Sequence, residues 1–210
     1  DLEEALRLKA QHGDGGRFVA GGTDLLLKIA AGVFAPRALI RLPVPEAEPF
    51  TLRHGMARVC ALTPVAKLVA SARLKKGLPL LAKGLECIGS PQIRNVATIG
   101  GNLGNASPCC DCGPPLLVYG ARVVLRGPSG ERQVPIAEFF TGPGSTVLNA
   151  DEVIEALLVP VPQRDEQIFH QKFGPRGANV IASANFAARV HIVGRRLDDV
   201  LIAAGSVAST

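Results

Sequence analysis

Hydrophobic residues recur along this chain in two patterns, a helical spacing and short continuous runs, which predict a mixture of helices and strands. Apolar positions three and four residues apart predict an α-helix over residues 2–12, with Asp1 placed to cap it. Helical spacing predicts further helices, at 25–31, 63–71, 78–88 and 114–119. Short apolar runs bounded by turn residues predict strands, at 17–20, 38–42, 50–53, 57–62, 121–126, 132–134 and 152–159.

Prolines mark two boundaries in this pattern. Thr63 and Pro64 predict the start of a helix, with Thr63 as the N-cap and Pro64 at the first helical position. The proline-bounded segment 160–166 is the best candidate for a domain boundary. The apolar stretches beyond it are too few to close a sheet over helices by themselves.

Composition narrows the class of protein. Of the 210 residues, 47% are hydrophobic, which predicts a globular chain, and no apolar run is long enough for a membrane span. The net charge of +5 comes from scattered basic residues, with one Tyr and no Trp beside them, which argues against a nucleic-acid surface. Five cysteines form no spaced disulfide framework, so we expect a reducing, cytoplasmic setting.

Two glycine-rich polar segments carry the strongest chemical signal. The first is Ala-Gly-Gly-Thr-Asp-Leu at 20–25, and the second is Thr-Ile-Gly-Gly-Asn at 98–102. Glycine allows positive φ and lets the backbone approach a ligand closely, so successive N–H groups can converge on an anion. We therefore predict two loops that hold a ligand with more than one phosphate from opposite sides.

Together with these segments, other motifs in register give the chain a family resemblance. They are Gln-Ile-Arg-Asn at 92–95, Ala-Ser-Pro at 106–108, Asp111, Phe-Phe-Thr-Gly-Pro at 139–143, Glu-Val-Ile at 152–154 and Lys-Phe-Gly-Pro-Arg at 172–176. In this order they resemble the FAD-binding (medium) subunit of the molybdenum hydroxylases, which include carbon-monoxide, xanthine and nicotinate dehydrogenases. The resemblance covers essentially the whole chain.

The resemblance implies an α+β fold of the vanillyl-alcohol-oxidase (PCMH) type. It places one FAD-binding subdomain in residues 1–50, a second in 51–164, and a C-terminal α/β domain in 165–210. That third domain normally continues further in the family, so we expect it to be incomplete here, with exposed apolar surface that a partner subunit covers. By the same resemblance, the residues that bind FAD are Ala20, Gly21, Gly22, Thr23, Asp24, Leu25, Thr98, Ile99, Gly100, Gly101, Asn102, Asn105, Ser107, Asp111, Ile154 and Lys172.

The implied function is electron transfer. A protein of this family receives electrons from the [2Fe–2S] clusters of a small subunit and passes them through FAD to an external acceptor such as NAD⁺, a quinone or oxygen. Substrate meets the molybdenum cofactor on a large subunit, so the resemblance implies no catalytic residue and no metal ligand in this chain. The expected assembly is a hetero-oligomer, such as a dimer of heterotrimers.

Each assignment has a plainer alternative. The first glycine segment also fits an ordinary strand-to-helix turn capped by Thr23 or Asp24, Asp111 fits a simple turn, and Lys172 fits the solvated face of a strand. The run Cys109, Cys110 and Cys112 suggests a metal or a reactive thiol, but adjacent thiolates rarely point at one metal, and small-residue substitution is the default reading.

Two alternatives remain for the whole chain. One is a flavin-free family member that acts as a scaffold or assembly partner. The other is a stand-alone FAD oxidase, for which no base-bearing segment is evident.

Overall fold

The computed structural model describes residues 1–46, 48–162, 166–177 and 179–207. The α-helices within these ranges are α1 (Leu2–His12), α2 (Leu25–Ala30), α3 (Val65–Ala70), α4 (Ala72–Gly77), α5 (Pro79–Glu86), α6 (Pro91–Arg94), α7 (Ile99–Gly104), α8 (Gly113–Val118) and α9 (Ile136–Phe139). The strands are β1 (Gly16–Val19), β2 (Ala38–Arg41), β3 (Phe50–Arg53), β4 (Met56–Cys60), β5 (Arg122–Gly127), β6 (Gly130–Pro135), β7 (Phe140–Gly142), β8 (Ser145–Thr146), β9 (Val153–Pro160), β10 (Gln167–Phe173), β11 (Ala184–Val193) and β12 (Arg196–Gly205).

These strands form four sheets. β1 and β2 pair in parallel, and α1 lies against both of them. The largest sheet has the order β3-β4-β9-β5-β6 and is antiparallel throughout. β7 and β8 form a short hairpin, and β10, β11 and β12 form an antiparallel meander.

Two hydrophobic clusters hold the elements together. The larger one lies between the five-stranded sheet and the helices from α3 to α8, with Leu68, Leu85, Leu116 and Phe139 fully buried. The smaller one joins α1 to β2 and to the start of β9 in the main sheet, through residues that include Leu6, Ile40 and Val153. The predicted division at residues 50 and 164 stays a prediction, and the smaller cluster crosses it at residue 50 through Leu62 and Val153.

Local signals placed most elements correctly. The Asp1 carboxylate accepts a hydrogen bond from the Glu4 N–H at 2.8 Å, so α1 begins at its predicted cap. Thr63 was the wrong cap for α3, because that helix begins one residue later than expected, with Pro64 in the cap position and no side-chain cap bond.

The meander of β10–β12 has one covered face and one open face. β10 lies against α5, and β11 and β12 lie against α8, so Ala187 is completely buried in the larger core. The opposite face carries Phe169 and Phe173, each 53% exposed, and Ile202, 69% exposed. The sequence predicted exposed apolar surface in this C-terminal part of the chain. That a partner subunit covers this surface stays a prediction.

No helix in the described part of the chain is long and apolar enough to cross a membrane.

Candidate functional site

A cleft of about 900 Å³ runs between the unit of α1, β1 and β2 and the larger unit. Its walls come mainly from three stretches of chain, residues 16–25, 97–105 and 144–154. The two glycine segments therefore face the same cavity, as the sequence predicted. The volume lies near the upper end of the range for small-molecule sites.

The first wall is the turn between β1 and α2. Within the described residues, the backbone N–H groups of Gly21, Gly22, Thr23 and Asp24 donate no hydrogen bond to another protein atom. Gly22 has φ of 69°, a left-handed conformation that glycine adopts without strain. This turn therefore presents consecutive unbonded donors to the cleft, which is the arrangement that binds an anion.

The alternative of an ordinary capped helix is not supported here. Asp24 occupies the N-cap position of α2, but its side chain makes no cap hydrogen bond. Its carboxylate lies 2.7 Å from the Lys28 ammonium instead. Lys28 also donates to the Asn105 side-chain oxygen at 2.6 Å, so this lysine links the first wall to the second.

Gly21 is where the two walls touch. A Cβ on this residue would collide with the backbone carbonyl of Val96 and approach the Cα of Ala97 to 2.9 Å. Only glycine fits at this contact. The close approach sets the distance between the first wall and the segment that leads into α7.

The second wall differs from the prediction, because the second glycine segment is a helix and not a loop. Thr98 caps α7, with the Gly101 N–H donating to Thr98 Oγ1 at 3.0 Å. The Gly100 N–H donates to the Ala61 carbonyl at 2.9 Å. The expectation that these amides converge on an anion is therefore wrong for Gly100 and Gly101.

What the second wall offers the cleft is side-chain amides and open space. Asn102 accepts a hydrogen bond from the Cys110 thiol through Oδ1, which leaves its NH₂ group as a donor. The NH₂ group of Asn105 is available in the same way, since Lys28 occupies only its oxygen. At Gly101, a Cβ would meet only Thr98 Oγ1, at 3.1 Å.

The third wall, residues 144–154, was mostly missed from the sequence, which had assigned only Ile154 to it. Arg132 fixes this wall by donating to the two carboxylate oxygens of Glu152 at 2.6 and 2.7 Å and to the Val147 carbonyl at 2.8 Å. The Asn149 N–H also donates to Glu152, at 2.8 Å. The hydrogen bond from Arg132, with a smaller contribution from Asn149, lowers the pKa of Glu152.

Four predicted site residues lie outside the lining of the cleft. Ile99 is fully buried in the core, and Ser107 lines a separate cavity. Asp111 and Lys172 pair with each other at 2.7 Å, and Lys172 also donates to the Cys87 carbonyl at 3.0 Å. The assignment of these four to cofactor binding stays a prediction.

Asp111 is neither a simple turn residue nor a free acceptor. Besides Lys172, it accepts a hydrogen bond from the Asn185 side chain at 3.3 Å. Burial raises the pKa of Asp111, and the hydrogen bond from Lys172 only partly opposes this effect.

The five cysteines are all free thiols. Cys110 and Cys112 are buried, and burial raises the pKa of Cys110 to about 11. A thiol with so high a pKa is a poor nucleophile near neutral pH, which favours the reading of these residues as small core side chains. Among the described residues, no group of three or more His, Cys, Asp or Glu side chains could hold a metal ion.

Comparison with known proteins agrees with this geometry. Residues 1–162 match the family described as the FAD binding domain in molybdopterin dehydrogenase. The chain is 32% identical to the xanthine dehydrogenase FAD-binding subunit of Escherichia coli O157:H7, over all of this chain and 72% of that protein. It is 31% identical to the carbon monoxide dehydrogenase medium chain of Hydrogenophaga pseudoflava, over 99% of this chain and 72% of that one.

Solved structures show the same fold. Carbon monoxide dehydrogenase from Hydrogenophaga pseudoflava superimposes with a TM-score of 0.94 at 30% identity, covering 100% of this chain and 73% of that chain. Quinoline 2-oxidoreductase from Pseudomonas putida 86 gives 0.92 at 26% identity, covering 100% and 72%. These matches confirm the predicted α+β fold and an oxidoreductase subunit. The chain therefore belongs to the family of FAD-binding domains of the molybdopterin dehydrogenases.

Proposed function

We propose that this chain holds FAD in the cleft and serves as the electron-transfer subunit of a molybdenum hydroxylase. In this role it receives electrons from [2Fe–2S] clusters on a small subunit and passes them to an external acceptor. The family membership supports the choice of cofactor, and the relatives named as FAD-binding or medium subunits support the place in a larger complex.

One observation carries the proposal, namely the unbonded amides of the turn at 21–24. A diphosphate brings two negative charges, and backbone N–H groups neutralise them without a strongly basic pocket. The cleft has such a row of donors on one wall and the Gly21–Val96 contact beside it. The residues present therefore fit a dinucleotide diphosphate.

The remaining contacts follow from the chemistry of the walls. The NH₂ groups of Asn102 and Asn105 suit the hydroxyl groups of the ribityl chain, and Ile154 offers an apolar surface to the adenine. Lys28 holds Asn105 in place by its hydrogen bond, while its charge is paired with the Asp24 carboxylate. When bound, FAD supplies the redox chemistry, because it exchanges electrons singly or in pairs.

The proposal places substrate oxidation at the molybdenum cofactor of a large partner subunit. Neither a general acid nor a general base for substrate is assigned to this chain. The proposal also includes a reducing, cytoplasmic setting, which the five free thiols support.

The test is to purify the protein with its co-expressed partner subunits and to measure flavin per chain after denaturation. We expect one FAD per chain and the absorption bands of oxidised flavin. Gly101→Val, which places two methyl groups toward the cleft, should remove the flavin from a folded protein. Gly177→Val is the matched control, because Gly177 is exposed and has no atom within 4 Å of a Cβ position.

One outcome would overturn the proposed function, and another would correct the proposed site. A folded complex that contains no flavin and takes up none would support the scaffold alternative. Full flavin retention in Gly101→Val would remove α7 from the binding site.

A further inference from the structure

A second cavity, of about 320 Å³, lies beside the cleft, and Ser107 is the one residue of its lining that the sequence assigned to FAD. It is lined by the segment between α7 and α8, the start of α8, the β7–β8 hairpin and the end of β12, and it is open to solvent on one side. Its walls are largely apolar, and Pro108, Pro114 and Phe140 are among the residues that line it. The cavity therefore lies where the end of the β10–β12 meander meets the larger unit.

The backbone around this cavity is held in an uncommon conformation. Ala106 has φ of 48° and Ser206 has φ of 65°, and both line the cavity. Residues other than glycine rarely adopt positive φ, and such residues collect at binding sites because the surrounding structure must enforce them. Two of them in one cavity wall point to a function and not to a packing defect.

Hydrogen bonds enforce both conformations. The Gly144 N–H donates to the Ala106 carbonyl at 2.8 Å, and the Ser206 N–H donates to the Pro108 carbonyl at 3.0 Å. These bonds tie the hairpin and the end of β12 to the same segment. The cavity is therefore preformed, as small-molecule sites usually are.

The polar groups of the cavity define the ligand. Its lining residues, all within the described part of the chain, include no charged side chain. The Ser107 hydroxyl accepts a hydrogen bond from the Cys109 N–H at 3.3 Å and donates to no described protein atom. A neutral ligand is favoured, since the lining offers an ion no opposite charge, and an oxygen atom on the ligand could accept a hydrogen bond from Ser107.

A single hydrogen bond joins the walls of the two cavities. The Cys110 thiol donates to Asn102 Oδ1 at 2.9 Å, with Cys110 lining the second cavity and Asn102 lining the cleft. A molecule in the second cavity would thus lie on the other side of one layer of side chains from the cleft. That position suits a molecule that exchanges electrons with a cofactor in the cleft.

We propose that this cavity binds a small neutral quinone, with one carbonyl oxygen accepting a hydrogen bond from Ser107 and the ring packed against the apolar residues of the lining. The volume accommodates one substituted ring, whereas a nicotinamide dinucleotide is too large and too highly charged for it. The use of this quinone as the external electron acceptor rests on the proposed function, which supplies the two electrons; with two protons from water, the quinone leaves as the hydroquinone.

Duroquinone is the probe of choice, because its fully substituted ring does not add to the cysteine thiols. The purified complex is titrated with it by equilibrium dialysis, and the flavin content of each sample is measured in parallel. We expect saturable binding of about one molecule per chain. Ser107→Ala should weaken it about three- to tenfold, the usual effect of one lost hydrogen bond.

Gly142→Leu provides the decisive variant. No atom lies within 4 Å of a Cβ position on Gly142, so a leucine side chain can enter the open space without a clash. We expect saturable duroquinone binding to be lost while flavin content stays unchanged. The control is Gly177→Leu, a substitution at an exposed glycine outside the cavity. This variant should bind duroquinone with the affinity of the unchanged protein.

The outcomes separate this proposal from the previous one. Equal binding by Gly142→Leu and the unchanged protein, or only non-saturable uptake, would overturn the quinone site even if FAD is present. A protein that binds duroquinone but no FAD would overturn the proposed electron-transfer function and leave the binding site standing.

Discussion

The ammonium group of Lys172 lies 2.7 Å from a carboxylate oxygen of Asp111, and the two side chains are only 10% and 9% exposed. Lys172 is on β10, and Asp111 lies two residues before the start of α8. This pair, together with the bond from Lys172 to the Cys87 carbonyl, attaches the three-stranded meander to the helices behind it.

Removing the lysine alone should destabilise the fold strongly. Lys172→Met leaves the Asp111 carboxylate buried without its cation, and loss of one partner of a buried ion pair costs about 3–5 kcal/mol. Urea unfolding followed by circular dichroism measures this loss. The double variant Lys172→Met, Asp111→Asn should lose less than the sum of the two single variants, and simple additivity would show that the pair is not coupled.

His170 should make the stability depend on pH below neutrality. Burial lowers the pKa of His170 from its usual 6.5, and the nearby Asp111 charge opposes this only in part. The unfolded chain therefore binds the proton first, so stability is full above pH 6.5 and falls as the pH drops toward the lower pKa of the folded state.

His170→Gln removes the titrating group and should flatten this dependence in urea unfolding measured between roughly pH 5 and 8. Glu152, whose pKa is also lowered, loses its contribution only below its usual 4.5 and so does not interfere. An unchanged pH slope in the glutamine variant would show that His170 is not responsible.

Gly21→Ala should separate the two walls of the cleft. The added methyl group would collide with the Val96 carbonyl, and overpacking of this kind usually costs about 1–3 kcal/mol. We expect both a lower free energy of unfolding and a lower flavin content. Gly177→Ala is the control, because no atom lies within 4 Å of a Cβ position on this exposed residue, and it should leave stability and flavin content unchanged.

Thr98→Val should weaken the start of α7. The valine keeps the shape of a side chain that is only 4% exposed but removes the acceptor for the Gly101 N–H. Loss of an N-cap bond costs about 1 kcal/mol, which thermal unfolding can measure. Thr98→Ser keeps the acceptor and should retain most of the stability; an equal loss in both variants would point to packing and not to the cap.

Local sequence signals predicted the elements that depend on nearby residues. The apolar spacing and the Asp1 cap located α1, and short apolar runs located the strands of the main sheet. They failed where a tertiary contact decides the conformation. The second glycine segment has the composition of a loop, but Thr98 and the Ala61 carbonyl satisfy its amides and turn it into a helix.

The candidate site shows the same division. The turn at 21–24 could be predicted, because glycine pairs and hydroxyl side chains are a local signal. The wall at 144–154 could not, since it depends on Arg132 reaching Glu152 across 20 residues. The pairing of Lys172 with Asp111 could not be predicted either, because the two residues are 61 positions apart and no local sequence pattern indicates the contact.

The close approach of Gly21 to Val96 leaves one side of the cleft with no room for adjustment. Attempts to redesign the protein for a bulkier nucleotide would therefore gain little by changing the glycine turns. The β7–β8 hairpin is the more promising place for such engineering, because Ser145 lines the cleft there and is exposed.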